Sequence, residues 1–132
     1  MFVDSSAIVA ILNDEPEAAK FLDVLGKQGA FITSPLAVLE SVMRLAAIFG
    51  ASVEKAQALV DEFLVEAEIS IAPVTADVGC LAIAAFARYG KGRHPAKLNF
   101  GDCFSYAMAQ HHGLGLLYKG QDFAQTDLSG LP

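Results

Sequence analysis

The sequence predicts an α/β fold in one domain spanning residues 1–132, with helices packed around a central, mostly parallel sheet. Two observations carry that prediction. Short β-rich runs ("MFVD", "AFITS", "ISIAPV", "GLLY") alternate with longer stretches of helical spacing, the pattern of strands joined by right-handed helical crossovers. An apolar content of 54% over 132 residues is also enough to build one core without disulfides or metal staples.

Taken in order, "MFVD" is too short for a helix and suits a buried strand ending at Asp4. "SSAIVAILN" has helical spacing through Ile8, Ile11 and Leu12, with Ser5 or Ser6 available as the cap. "DEPEAAKFLDVLGKQG" places Phe21, Leu22 and Leu25 on one face, with acids early and Gly26 or Gly29 as the stop. The strand "AFITS" precedes "SPLAVLESVMRLAAIFG", a helix with Ser34 as N-cap, Pro35 at its first position and Gly50 at its end. "SVEKAQALVDEFLVEAE" is amphipathic and capped by Ser52. "ISIAPV" is a strand closed by Pro73, and "TADVGCLAIAAFARYG" a helix from Thr75 to Gly90. A loop from 90 to about 98 leads into "LNFGDCFSYAMAQHHG", a helix starting near Asn99 and stopping at Gly113. "GLLY" is a strand, and the polar tail "KGQDFAQTDLSGLP" has room for one last short strand.

A net charge of -6 argues against broad, unassisted attraction to a polyanion, but the basic residues are not evenly spread. Arg88, Lys91, Arg93 and Lys97 crowd beside Gly90, Gly92 and His94, which makes a local basic loop on an acidic chain. No apolar run is long enough to span a bilayer, and Met1 leads into "FVDSS" without a basic leader or cleavage site. A soluble, cytoplasmic protein with no membrane association is expected. Cys80 and Cys103 stand singly in apolar helical patterns, so both are expected to be reduced core thiols.

In open α/β sheets the reactive crevice lies beyond the carboxyl ends of the strands. Asp4 ends the first strand, Glu40 lies in the second turn of the helix after "AFITS", Asp102 opens a later helix, and Asp122 follows "GLLY". Each has an ordinary alternative. Asp4 could cap the next helix, Glu40 could pair with Arg44, Asp102 could complete a capping box with Asn99, and Asp122 could be a turn acid. Held together in a cleft, however, such acids repel one another unless a cation neutralises them, and an all-oxygen set suits Mg²⁺ or Mn²⁺. His111 and His112 at a helix end, and His94 in the loop, offer no zinc alternative. A carboxylate-bound cation beside a basic loop suggests phosphodiester hydrolysis, with Lys91, Arg93 and Lys97 holding the backbone and Arg44 a further candidate contact.

The blocks "FVDSSAIVAIL", "SPLAVLESVMRL", "HPAKLNFGDCFSYAMA" and "LLYKGQDFAQTD" resemble, in order and over nearly the whole chain, those of PIN-domain ribonucleases, most closely the VapC toxins of toxin–antitoxin pairs. That resemblance implies a three-layer α/β/α sandwich and RNA cleavage at a Mg²⁺ or Mn²⁺ site. It matches the family's acids to Asp4, Glu40 and Asp102, and its supporting hydroxyl residue to Ser6. Many relatives place the fourth acid directly after the last core strand, where this chain has Lys119 and Gly120, so Asp122 would have to reach in. A homodimer and a VapB-like antitoxin that covers the acidic groove in a toxin–antitoxin hetero-oligomer are also implied. The alternatives are a PIN-like module that binds RNA or protein without cutting, and phosphoryl transfer through an aspartyl phosphate. Haloacid-dehalogenase-like enzymes usually carry a second Asp where this chain has Ser6.

Overall fold

The computed structural model describes residues 1–128. In chain order these form β1 (Phe2–Val3), α1 (Ser5–Leu12), α2 (Ala18–Leu25), β2 (Phe31–Thr33), α3 (Pro35–Phe49), α4 (Val53–Glu66), β3 (Ile69–Ile71), α5 (Ala76–Tyr89), α6 (Phe100–His112) and β4 (Leu116–Leu117). One sheet runs β3-β2-β1-β4, and every neighbouring pair is parallel. β1 therefore lies inside the sheet, with Phe2 opposite both Ile32 and Leu116.

The two-residue strands β1 and β4 persist because both of their faces are buried, whereas edge strand β3 buries Ile69 and exposes Ser70 and Ile71. Successive side chains point to opposite faces, so Phe2 and Leu116 enter the core under α5 and α6 while Val3 and Leu117 enter the core with α1, α2, α3 and α4. The result is a three-layer α/β/α sandwich. Among the described residues no helix is long and apolar enough to cross a membrane.

Helix boundaries follow local chemistry. Ser34, Ser52 and Thr75 each accept a first-turn backbone N–H, and Gly50 and Gly113 end α3 and α6 in the left-handed conformation, at φ 57° and 63°. α1 departs from expectation: its N-cap is Asp4 rather than Ser5 or Ser6. Extended backbone at the strand end puts the Asp4 carboxylate over the first free N–H groups, and the serines already lie inside the helix.

Three further expectations are corrected. Cys103 is buried, but Cys80 is exposed, because α5 buries a stripe through Val78, Ala82, Ala85 and Tyr89 from which position 80 is turned away. In the tail a 3₁₀ turn at Phe123–Gln125 stands where a last strand was expected, with Phe123 buried against Tyr118, their rings 5.2 Å apart; residues 129–132 of that stretch lie outside the described residues. Arg88 leaves the basic loop to meet Asp127 at 3.5 Å. Asp127 also accepts from the Tyr106 hydroxyl at 2.5 Å, so the tail is tied to α5 and α6.

The carboxyl ends of β1 and β2 are joined by a side chain. Thr33 is fully buried, and its hydroxyl donates to the Val3 carbonyl at 2.8 Å. Thr33→Val keeps the shape and removes the donor, so it is expected to lower stability by about 1 to 3 kcal/mol in urea unfolding, with an unchanged circular dichroism spectrum. An unmoved midpoint would show that the carbonyl does not depend on this bond.

Candidate functional site

β1 delivers its chain directly into Asp4, whose side chain is only 4% exposed. Both carboxylate oxygens are held. Oδ2 accepts from the Ser6 backbone N–H at 3.0 Å and from the Ser6 hydroxyl at 2.6 Å, while Oδ1 accepts from the Ser105 hydroxyl at 2.6 Å. Both hydroxyl contacts are as short as O–H bonds to an ionised carboxylate. Ser6 Oγ accepts in turn from the Lys119 backbone N–H at 2.9 Å. One hydrogen-bonded chain thus links the ends of β4 and β1 to α6.

Glu40 stands half-buried in the second turn of α3 and faces the first turn of α6. A β-carbon at position 101 would overlap both Glu40 carboxylate oxygens, so Gly101 is what allows that close approach. Burial raises the Glu40 pKa and the Asp4 charge raises it further, whereas Arg44 lowers it. Arg44 acts through its charge alone here: among the described residues it forms no ion pair with Glu40.

Asp102 sits in the first turn of α6 inside a complete capping box. Its N–H donates to Asn99 Oδ1 at 2.9 Å, and its Oδ2 accepts from the Asn99 N–H at 3.0 Å. Burial pushes its pKa up to about 7 against the pull of the Asn99 N–H, and the charges of Asp4, Asp122 and Glu40 add to the rise. All four acids named from the sequence therefore share one electrostatic neighbourhood. Asp122 is the outlying member, exposed at the start of the 3₁₀ turn and making no side-chain capping bond.

An all-oxygen set in which neighbouring acids raise the Glu40 and Asp102 pKa values matches a hard divalent cation in kind. The spacing is looser. Among the described residues no three Asp, Glu, His or Cys side chains stand close enough to enclose one ion, and the two innermost acids already spend oxygens on Ser6, Ser105 and Asn99.

The basic candidates sit at the border of this region. Lys91, Arg93 and Lys97 are exposed in a loop closed by the Gly90–Leu98 bridge, which hands the chain to the Asn99 cap three residues before Asp102. Arg93 lies over the Phe86 ring at 5.3 Å, and Lys91 lines an apolar groove with Ile83, Phe86, Phe100 and Phe104. Phe100, 76% exposed, also borders a second groove beside Glu40 with Leu39 and Met43. His94 accepts from the Ala96 N–H at 3.0 Å, which gives it a loop-building part.

Ser105 and Gly101 were not singled out by sequence reasoning. The available signal was position: Ser105 is one helical turn after Asp102 and on its face, and Gly101 immediately precedes it.

The PIN domain family matches residues 1–128. Ribonuclease VapC30 of Mycobacterium tuberculosis is 41% identical over 129 residues, covering 98% of this chain and 96% of that protein. A VapC ribonuclease of Rhizobium meliloti is 43% identical over 139 residues, covering 96% and 98%. Among solved structures, M. tuberculosis VapC20, described as a Sarcin-Ricin loop cleaving toxin, superposes with a TM-score of 0.79 at 21% identity over 99% of this chain and 98% of that one. A toxin–antitoxin complex from Klebsiella pneumoniae gives 0.70 at 19% identity, covering 99% and 95%. With its matched length, its relatives and its sandwich fold, the chain belongs to the PIN-domain family, among the VapC proteins.

Proposed function

We propose that this chain is a Mg²⁺- or Mn²⁺-dependent endoribonuclease, a VapC-type toxin that hydrolyses RNA phosphodiester bonds and is held inactive by a VapB-like antitoxin. The observation that carries the reading is the gathering of Asp4, Glu40 and Asp102, buried or half-buried acids at the strand ends whose charges raise the Glu40 and Asp102 pKa values, in a chain whose relatives are named ribonucleases. Asp4, Glu40 and Asp102 would hold the cation, with Asp122 on the outer side. Bound there, it would offset the charge of the phosphate and acidify an attacking water. The chain's own groups do the rest. Ser6 fixes the Asp4 carboxylate, Gly101 admits Glu40 to the mouth, and Lys91, Arg93, Lys97 and Arg44 offer phosphate contacts that bring affinity without reading sequence.

An acidic mouth on a chain of net charge -6 suits capture of a basic antitoxin segment. The exposed apolar groove between α5 and α6, with Cys80, Ile83, Phe86, Phe100 and Phe104, supports a homodimer, since such a surface gains by burial against another chain. A cytoplasmic site of action follows from the same reading. The competing reading is a PIN-like module that binds RNA or protein without cutting, and the loose spacing of the acids favours it.

The two part company in one experiment. Purified, antitoxin-free protein is offered several RNA classes with Mg²⁺, Mn²⁺ or EDTA. Cleavage is expected with either cation and not with EDTA, and Asp4→Asn and Asp102→Asn are each expected to reduce it by roughly 100-fold or more while circular dichroism stays native. RNA binding without cutting under every condition would select the module.

Gly101→Ala separates stability from activity. Alanine is favoured over glycine in a helix by about 1 kcal/mol, and the atoms nearest to its added β-carbon belong to the far end of the Glu40 side chain, which can swing away. The expected variant melts no lower than the parent yet cuts poorly. Full activity would show that Glu40 need not rest against α6.

The Asp102 pKa sets a pH-dependent cost. A carboxyl at 3.8 in the unfolded chain and about 7 in the folded one favours folding at acid pH and progressively loses that contribution as pH rises through 7. Asparagine keeps an oxygen for the Asn99 N–H and carries no charge. In EDTA, Asp102→Asn should therefore melt higher than the parent at pH 8 and close to it at pH 4. A variant equally or less stable at both would refute the buried-charge account.

A further inference from the structure

Serines inside helices have a default partner. The hydroxyl turns back to the carbonyl four residues earlier, as Ser41 does in α3 by donating to the Ala37 carbonyl at 2.8 Å. Ser105 lies in the interior of α6, is 2% exposed, and does something else. Its single proton crosses to β1 and is given to Asp4 Oδ1 at 2.6 Å, a link between residues 101 positions apart. One hydroxyl hydrogen cannot serve both acceptors, so Ser105 forgoes the local bond for the carboxylate.

The geometry around Asp4 gives that choice a consequence. Ser6 alone grips Oδ2 from the same strand-to-helix turn, and a carboxylate held at one oxygen can still rotate about its own bonds. Ser105 holds the other oxygen from a different element, the helix that also carries Asp102 three residues earlier. Two donors from opposite sides fix both the plane of the Asp4 carboxylate and its distance from Asp102.

We infer that Ser105 is a positioning residue of the acid site: by donating to Asp4 Oδ1 it orients that carboxylate and locks α6, with Asp102, against the end of β1. This inference rests on the proposed cation-dependent function. It assigns to Ser105 an effect on cation binding, reached through Asp4 rather than by contact with substrate.

The test compares the parent with Ser105→Ala, Ser105→Thr and Ser105→Val. Mn²⁺ affinity is measured by calorimetric titration, kcat and KM with a cleavable RNA, and folding by thermal melts in EDTA. Threonine and valine add equal bulk in the same buried place, so they differ only by the hydroxyl, and this pair decides the matter should alanine fold poorly. The expected result is a Mn²⁺ affinity about 10- to 100-fold weaker for alanine and for valine, with kcat falling and KM little changed, and most of both recovered in threonine. A hydroxyl that serves stability alone would lower the melting temperature and leave the Mn²⁺ affinity of the folded protein at the parent value, which would overturn the inference. Failure of the proposed function looks different: there the parent itself neither binds Mn²⁺ nor cuts RNA, and the inference falls with it.

Discussion

Burying Asp4 at the end of an interior strand imposes a demand that the surrounding structure meets. A carboxylate removed from water must have its oxygens partnered, and its donors come from two separate parts of the chain, with a third supporting one of them. Ser6 answers from the turn that Asp4 itself begins, Ser105 answers from α6, and the Lys119 N–H steadies Ser6 from the end of β4. Sheet order makes this possible. With β4 beside β1, and with β1 and β2 further joined through Thr33 and Val3, the strand ends form one rim on which these bonds can close.

The same rim gathers negative charge that the fold does not neutralise. Glu40 and Asp102 are each raised first by burial and then by their acidic neighbours, and the charge of Arg44 only moderates Glu40. Two acids of the segment joining α1 and α2 are treated differently. Lys119 Nζ contacts Glu15 and lies 3.4 Å from Glu17, and Glu15 is lowered accordingly. Acids left without a cation at the rim are the feature on which the proposed cation site rests, since a purely structural rim would gain by pairing them.

The layers of this fold were readable because strands buried on both faces leave unbroken apolar runs and because the helices announce their ends. Ser34 with Pro35, Ser52, Thr75, Gly50 and Gly113 all stand where caps and stops were expected. Strand-to-helix placement in the sequence also puts Asp4, Glu40 and Asp102 on one edge. What escaped was set by distance in sequence. Nothing local marks Ser105, since its partner is 101 residues away, and nothing local marks Gly101, since its value lies in the Glu40 carboxylate that rests on it. Cys80 was misplaced for a related reason: an apolar stretch with helical spacing does not say how wide a face its neighbours will cover.

Lys119 shows how a position can change residue and keep its task. Family resemblance leads one to expect an acid directly after the last core strand, and a lysine there would be a poor substitute if its side chain entered the mouth. It does not enter. The position contributes its backbone N–H to Ser6, a donation open to any residue but proline, while the ammonium turns outward to Glu15 and Glu17 and ties β4 to the segment joining α1 and α2. Asp122, three residues on, is the next acid along the chain, and its charge reaches Asp102 from an exposed position. Asp4 is fixed by the Ser6 and Ser105 hydroxyls and Asp102 by the Asn99 N–H, whereas Asp122 stands exposed at the outer side of the rim.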